Sequence, residues 1–334
     1  MTSMDKYYYN LPKELIAQNP VSKRHESRLL IYDSIKDKID HRHFFEIIEF
    51  VKKGDIIVLN DTKVVHTKLE GQKQTGGSVS ITLIKKKNKL EYEAFIKCKN
   101  PLVGNKLLFL DGLSAEIIKK IDSHFLLQFN MPIEKVLKQK GDFTLPGYIH
   151  NEKYDRKRYQ TVFASKEGSV AAPTAGLHFS KKLIERLENK GVKIVYICLH
   201  VSLGTFGDIR EKDYKKHKMY SEWFEIPKQT ADAINKRKGK LYVVGTTSLR
   251  ALESASQQNG KIKVCAKQTS LFVCPGHKFK LKFDGLITNF HLPRTSLLLL
   301  VAAIIGEKWK DLYEEAIKQR YRFYSFGDAM FILK

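Results

Sequence analysis

Lys181-Lys182-Leu183-Ile184-Glu185-Arg186-Leu187-Glu188-Asn189-Lys190-Gly191-Val192-Lys193-Ile194-Val195-Tyr196-Ile197-Cys198-Leu199-His200 decides the fold class. Its first half, 181–190, sets apolar residues among charges as an amphipathic helix does, and Gly191 supplies the stop. Residues 192–199 are a strand-like apolar run ending at a histidine. The same succession recurs. Residues 43–53 carry a helical stripe of Phe44, Ile47, Ile48 and Val51, stopped by Gly54 and followed by a buried strand at 56–59. Residues 231–238 lead to Gly239 and a strand at 241–244, and 247–258 return to helix. Helices alternating with apolar strands predict a layered α/β domain.

The chain changes character at 66–150. Val79, Ile81 and Leu83 alternate with polar neighbours, as do Leu90, Tyr92, Ala94 and Ile96, the period of half-buried strands. Apolar runs at 107–110, 115–118 and 125–129 follow, punctuated by Asn100-Pro101, Asp111-Gly112 and Asp122-Ser123. Several short strands without a long helix predict a small antiparallel β-barrel or sandwich, and 133–140 a short helix leading out. The expected organisation is a discontinuous α/β main domain, residues 1–65 and 153–334, with a small antiparallel β-barrel inserted at 66–152.

Composition agrees with an enzyme of about two domains. The chain has 334 residues, 43% of them hydrophobic, enough to fill a sizeable core. Residues 1–10 are polar and tyrosine-rich, without a signal-peptide apolar region. The longest aliphatic run, 297–305, is far shorter than the ~20 residues of a membrane span and reads as a buried helix. A cytoplasmic location without membrane contact is the expectation. Cys98, Cys198, Cys265 and Cys274 form no CxxC pair and read as buried free thiols of a reducing compartment. His41 and His43 have no companion pair, so neither a metal site nor a disulfide is predicted. Fifty-nine Lys and Arg against 36 Asp and Glu leave a net charge of +23. That is the footprint of a nucleic-acid binder, although the basic clusters are scattered along the chain, among them Lys85-Lys86-Lys87 and Lys236-Arg237-Lys238.

Three strand ends carry polar or glycine-bearing turns. Asn60-Asp61-Thr62 follows the strand at 56–59, His200 with Gly204-Thr205 follows 192–199, and Gly245-Thr246-Thr247 follows 241–244. If these strands run parallel, the turns gather on one rim, where open α/β sheets bind ligands.

The run Gly168-Ser-Val-Ala-Ala-Pro-Thr-Ala-Gly-Leu-His-Phe-Ser180 is neither helical nor alternating, and its small residues let backbone approach a ligand closely. It resembles the signature of the S-adenosylmethionine:tRNA ribosyltransferase-isomerases of queuosine biosynthesis. Further words resemble that family in its order: Ser27-Arg28-Leu29-Leu30, 54–62, 199–206, 244–254, 285–293 and 321–330. Together they span the chain from Leu11 almost to its end. Several positions depart from the family pattern: Ser202 for Gly, Tyr220 for His, Gly147 for the second Pro of a pair, and Arg294-Thr295-Ser296 for Lys-Ser-Thr. Tyr220 argues that a His there is dispensable for proton transfer.

The resemblance implies the same discontinuous domain with an inserted barrel, and a tRNA-modifying transferase. The ribosyl moiety of S-adenosylmethionine passes to 7-aminomethyl-7-deazaguanine at the tRNA wobble position and isomerises, giving epoxyqueuosine-tRNA plus adenine and methionine. S-adenosylmethionine is a co-substrate, no cofactor is needed, and no obligate protein partner is implied. Such chemistry needs a base, an acid for departing adenine and donors for developing oxyanions. His178, His200, His291 and Asp328 are the proton-transfer candidates. Arg28, Asn60, Asp61, Thr62, Thr174, Gly176, Gly204, Thr205, Thr246, Thr247, Arg250 and Asn289 are candidates for substrate contact. A structural reading stands beside several of these. His178 caps a turn, His200 is a satisfied strand-end histidine, Asp328 accepts backbone bonds, Arg250 makes an ion pair, and Thr246 or Thr247 is an N-cap. The aromatics Tyr321, Phe323, Tyr324 and Phe326 read as core rather than as a base-stacking platform. Two other functional classes share some features, an S-adenosylmethionine-dependent RNA methyltransferase and a non-enzymatic RNA-binding protein. The first lacks its usual glycine-rich turn after the first strand, and the second leaves the His, Gly and hydroxyl words unused.

Overall fold

The computed structural model describes residues 3–122, 124–144, 147–150, 156–202, 209 and 211–334. The chain forms two compact units, Met1–Lys63 together with Pro146–Lys334, and Val64–Leu145.

In the larger unit, nine strands form one mixed sheet among the described residues. Their order is Cys265–Thr269, Glu222–Ile226, Lys193–Leu199, Ile56–Asn60, Leu241–Val244, Gly285–Asn289, Ala329–Leu333, Arg28–Asp33 and Lys38–His43. The three strands read from the sequence are neighbours, and they run parallel with Gly285–Asn289. All residues of Ile56–Asn60, Leu241–Val244 and Gly285–Asn289 are buried, as expected of a parallel sheet covered on both faces. One face packs under the helix Thr246–Ala255 and its neighbours, with Leu249, Ala251 and Leu252 meeting Val58, Ile197 and Val243. The other packs under the helix Lys181–Asn189 through Leu183, Ile184 and Leu187. Ser180 caps that helix by accepting from the Leu183 amide at 3.2 Å, and Gly191 ends it at φ +85°, a conformation costly for a side-chain-bearing residue. The aliphatic run is the helix Ser296–Ile305, capped by Thr295 and buried over most of its length. No described helix is long and apolar enough to cross a membrane.

The stripe at 43–53 folds differently from the expectation. Lys38–His43 is an edge strand, and Phe44–Glu49 is a 3-10 helix rather than an α-helix. Phe44 and Ile47, three apart, suit the 3-10 period, and Glu46 holds the turn by accepting from the His43 amide at 2.7 Å. The helix expected at 231–238 is Lys228–Asn235, starting directly after Pro227.

The smaller unit is a closed barrel of six antiparallel strands: Lys68–Lys73, Ser78–Lys86, Glu91–Lys97, Lys106–Leu108, Ser114–Ile121 and His124–Phe129. Val79, Ile81, Leu83, Tyr92 and Ala94 point into its core, as their alternation predicts. Asn100, Asp111 and Asp122 take left-handed conformations at its turns. The strand Lys68–Lys73 has one inward apolar residue, Leu69, and escaped the pattern reading. Its Gly71 lets the backbone close, since a Cβ there would lie 2.3 Å from the Leu108 carbonyl. Lys86 pairs with Glu134, and Lys87 with Glu93 at 2.9 Å. All four cysteines are free thiols; Cys198 is buried, while Cys98, Cys265 and Cys274 are only partly so.

Gly285 tests the sheet packing. A Cβ there would meet the Ile332 carbonyl at 2.7 Å and the Phe331 ring at 2.9 Å. Gly285→Val is expected to destabilise by about 1–3 kcal/mol, as overpacking does. Urea unfolding should show a lower midpoint at unchanged m-value.

Candidate active site

The parallel strands bring their carboxyl ends to one edge of the sheet. The antiparallel strand Ala329–Leu333 and its parallel neighbour Arg28–Asp33 begin at that same edge. Almost every described candidate therefore lies along a single rim, running from His200 through Asn60, Thr246 and Asn289 to Asp328 and Arg28. Gly204 and Thr205 lie outside the described residues.

Asn60, fully buried, brackets the rim. Its Oδ1 accepts from the amides of Leu199 at 3.0 Å and Thr62 at 3.1 Å. Its Nδ2 donates to the Leu199 carbonyl at 3.0 Å and reaches Thr247 Oγ1 at 3.5 Å. With its bonds spent inside the protein, Asn60 holds strand ends together rather than facing a ligand.

A small cleft opens beside it, lined by Pro173, Thr174, Gly245, Thr246, Thr247, Thr288 and His291 among others. Thr246 and Thr247 form the first turn of the helix Thr246–Ala255, with Gly245 as N-cap at φ +86° and no side-chain cap, so neither threonine is the cap. The amides of that turn and four threonines are donors around the cleft. His291 is buried at its wall, its Nε2 2.9 Å from Thr288 Oγ1. Its backbone is clamped, the amide donating to Tyr313 Oη at 3.1 Å and the carbonyl accepting from Tyr9 Oη. Burial lowers its pKa from 6.5 to about 3, so the imidazole is neutral.

Thr174–His178 is a 3-10 helix facing this edge. Gly176 is needed for packing, because a Cβ there would sit 2.9 Å from the Phe163 ring. His178 is fully engaged. Its Nδ1 lies 2.7 Å from Ser27 Oγ, which itself donates to the Arg24 carbonyl at 3.3 Å. Nδ1 therefore carries the hydrogen, and Nε2 accepts from Asn289 Nδ2 at 3.2 Å. Asn289 Nδ2 also donates to the Tyr324 carbonyl at 2.9 Å, leaving Oδ1 buried without a protein partner. Burial, and then the charges of Arg322 and Arg24, lower the His178 pKa to about 3.

Asp328, also buried, accepts from the amides of Arg28 at 3.0 Å and Arg322 at 2.8 Å. The Arg28 guanidinium stacks 3.8 Å over the Tyr321 ring and donates to the Gln319 carbonyl at 2.6 Å. Both bind the last strand to the first. Tyr321, Phe323, Tyr324 and Phe326 are core, as read.

At the other end of the rim, His200 Nδ1 lies 2.7 Å from Thr62 Oγ1, and its ring stacks on Trp223. Burial lowers its pKa, as does nearby Lys166. Asp61 Oδ2 accepts from Ser165 Oγ at 2.9 Å while Oδ1 is buried without a partner, and burial raises its pKa. Arg250, one helical turn beyond Thr246, does not line the cleft. It is buried in an ion pair with Glu222 and donates Nε to the Leu271 carbonyl at 2.9 Å. Glu222 in turn accepts from the Ser202 amide at 2.8 Å, so the residue standing for the family Gly is held through its backbone.

Ser27 and Thr288 are site residues that the sequence analysis does not single out, although each falls inside a quoted word, and Tyr324, read only as core, holds Asn289 through its carbonyl. Tyr324 is unusual in taking a left-handed φ of 76°. Among the described residues, no cluster of His, Cys, Asp and Glu is arranged to hold a metal ion.

A family model described as queuosine biosynthesis protein matches residues 4–332. An S-adenosylmethionine:tRNA ribosyltransferase-isomerase of Acetivibrio thermocellus is 45% identical over 98% of both chains. One from Legionella pneumophila (strain Lens) is 43% identical over 98% of both. The crystal structure of S-adenosylmethionine tRNA ribosyltransferase from Thermotoga maritima is similar with a TM-score of 0.57 at 34% identity, covering 98% of this chain and 100% of that one.

The two buried imidazoles set a pH dependence of stability. Their folded pKa values, about 3, lie below the ordinary 6.5, so between these limits the unfolded chain takes up protons that the folded chain refuses. Stability is complete above pH 6.5 and falls as pH drops toward 3. His178→Gln should make that decline shallower by about one proton. Urea midpoints at pH 7, 6 and 5 measure it, and an unaltered slope refutes a neutral buried His178.

Proposed function

Because the chain belongs to the S-adenosylmethionine:tRNA ribosyltransferase-isomerase family of queuosine biosynthesis, we propose that the rim cleft binds S-adenosylmethionine and presents its ribosyl group to tRNA carrying 7-aminomethyl-7-deazaguanine at the wobble position. The ribosyl carbon bonds to the aminomethyl nitrogen, the ring rearranges to an epoxycyclopentanediol, and adenine and methionine depart. The observation carrying this reading is the threonine-lined cleft at an uncapped helix N-terminus, walled by a neutral, buried histidine.

Each part of the cleft has a chemical use. The first-turn amides at Thr246 and Thr247 suit the methionine carboxylate, since a helix N-terminus favours negative charge. Thr174 and Thr288 add hydroxyl donors for ribosyl oxygens. Uncharged surroundings avoid repelling a sulfonium, and His291 in neutral form retains a lone pair to accept a proton. His178 and Asp328 are positioning residues: the first aims Asn289, and the second ties the segment after Tyr321 to the first strand. Asn60 and Arg250 hold strand ends. Thr62, His200 and Asp61 form a second polar group on the rim, and Asp61, with its unpartnered oxygen and raised pKa, is the proton carrier there. The net charge of +23 supports an RNA substrate.

Product analysis tests the reaction. Purified protein with S-adenosylmethionine and the modified tRNA should release adenine and methionine in equal amounts. S-adenosylhomocysteine in their place would assign a methyltransferase. His291→Ala should lower kcat by about 10²-fold or more, the scale of lost acid–base catalysis, at a folded-state urea midpoint that remains measurable.

Affinity for tRNA should fall linearly in a log–log plot against salt, because each phosphate contact releases condensed counterion. Affinity for S-adenosylmethionine, held at short range in the cleft, should change far less over the same range. Isothermal titration at several salt concentrations separates the two, and a flat tRNA dependence refutes electrostatic docking.

A further inference from the structure

Basic residues from several separate segments of the larger unit meet at the edge of the large sheet opposite the rim. There the parallel strands begin and Ala329–Leu333 ends. Backbone bonds join the segments: Lys193 N to the Asp55 carbonyl at 2.8 Å, Ile56 N to Lys240 at 2.8 Å, Asp284 N to Leu241 at 2.8 Å and Lys334 N to Asp284 at 2.9 Å. Arg237 donates Nη2 to the Lys282 carbonyl at 2.6 Å. The Lys53 side chain packs at Gly191, where a Cβ would sit 2.8 Å from its Cγ. Lys53, Lys193, Arg237, Lys240, Lys282 and Lys334 thus share one edge, all exposed except the half-buried Arg237.

Among the described residues, none of the six forms an ion pair with a carboxylate. The acids nearby are committed to backbone. Asp55 accepts from the amides of Lys52 at 2.7 Å and Lys240 at 2.8 Å, and Asp284 from Leu241 at 2.8 Å. Lysines on other faces do pair, Lys63 with Glu167, Lys166 with Glu225 and Lys308 with Asp37 and Asp311. An open recess lined by Arg237, Lys282, Phe283, Asp284 and Lys334 lies within the edge. In it the Lys334 ammonium stands 4.1 Å from the Phe283 ring centre. Partial desolvation, of Lys334 at its ammonium packed on Phe283, holds Arg237 and Lys334 below their ordinary pKa values, an effect that Asp284 partly offsets. Six cations against the carboxylates of Asp55 and Asp284 leave a net positive edge, and a polyanion relieves the remaining repulsion while releasing its own counterions.

We propose that this edge is a docking surface for the tRNA phosphate backbone, away from the nucleotide that enters the cleft. The inference rests on the tRNA reading above. The strands are short enough that the two edges lie roughly 15–20 Å apart at about 3.3 Å per residue, so one RNA molecule spans both.

The test is the triple variant Lys193→Glu/Lys240→Glu/Lys282→Glu, compared with Lys85→Glu/Lys86→Glu/Lys87→Glu on the barrel. The edge variant should weaken tRNA binding about tenfold or more at moderate salt and flatten the log–log slope by about 2. Its kcat at saturating tRNA and its KM for S-adenosylmethionine should stay within about twofold, because loss of phosphate contacts leaves the cleft untouched. The barrel variant should lose less, since Lys86 and Lys87 are already paired. Unchanged tRNA affinity and slope in the edge variant overturn the proposal. So does an edge that proves to bind anionic phosphatidylserine vesicles while tRNA affinity is retained. A Lys→Gln version at the same three sites, expected to show about half the slope change, decides the matter if the Glu variant unfolds. A parent protein that binds tRNA but releases no adenine refutes the reaction, and the binding arms still judge the edge.

Discussion

One buried amide holds the functional edge together. Asn60 uses both atoms of its side chain to bind the Leu199 backbone, accepts from Thr62, and reaches toward Thr247. Those bonds set the relative heights at which three parallel strands stop. A buried amide left unsatisfied costs about 1–3 kcal/mol, so the arrangement in which all these partners are met is strongly preferred over a slipped one. The first helical turn at Thr246, the position of His200 and the direction taken by the chain after Asn60 all follow from it.

The cleft lining is polar without a charged side chain. His178 and His291 are desolvated to the point of neutrality, and the buried carboxylate of Asp328 is occupied by backbone amides. Local strain contributes to the arrangement. Tyr324 keeps a left-handed backbone, which costs a non-glycine residue of order 1–3 kcal/mol. That conformation is held by its amide bond to the Phe290 carbonyl at 3.0 Å and by Asn289 on its own carbonyl. The strain thereby fixes the amide of Asn289, which in turn fixes the ring of His178. Six basic side chains gather at the opposite edge of the sheet.

The local code of this chain was legible wherever burial follows a simple period. The helix Lys181–Asn189, the strands Ile56–Asn60, Lys193–Leu199 and Leu241–Val244, and the alternating barrel strands all bury the residues that their spacing marks. Phe44–Glu49 misled because residues three apart fit a 3-10 turn as well as an α-helix. Lys68–Lys73 was missed because barrel closure demands a glycine and one inward side chain there, which leaves no alternation to read.

The sequence by itself determined the fold class, the rim and the family, since these rest on periodicity and on short contiguous words. Only the tertiary structure decided what each polar residue does on that rim. Arg28 and Asp328 meet across 300 positions, Asn289 and His178 across 111, and Arg250 finds Glu222 across 28. The gathering at one edge of six cations that form no ion pair among the described residues is of the same kind. Burial is set by neighbours a few residues away and leaves a periodic trace, whereas a hydrogen-bond partner or a charge environment is set by strand order, which no local spacing records.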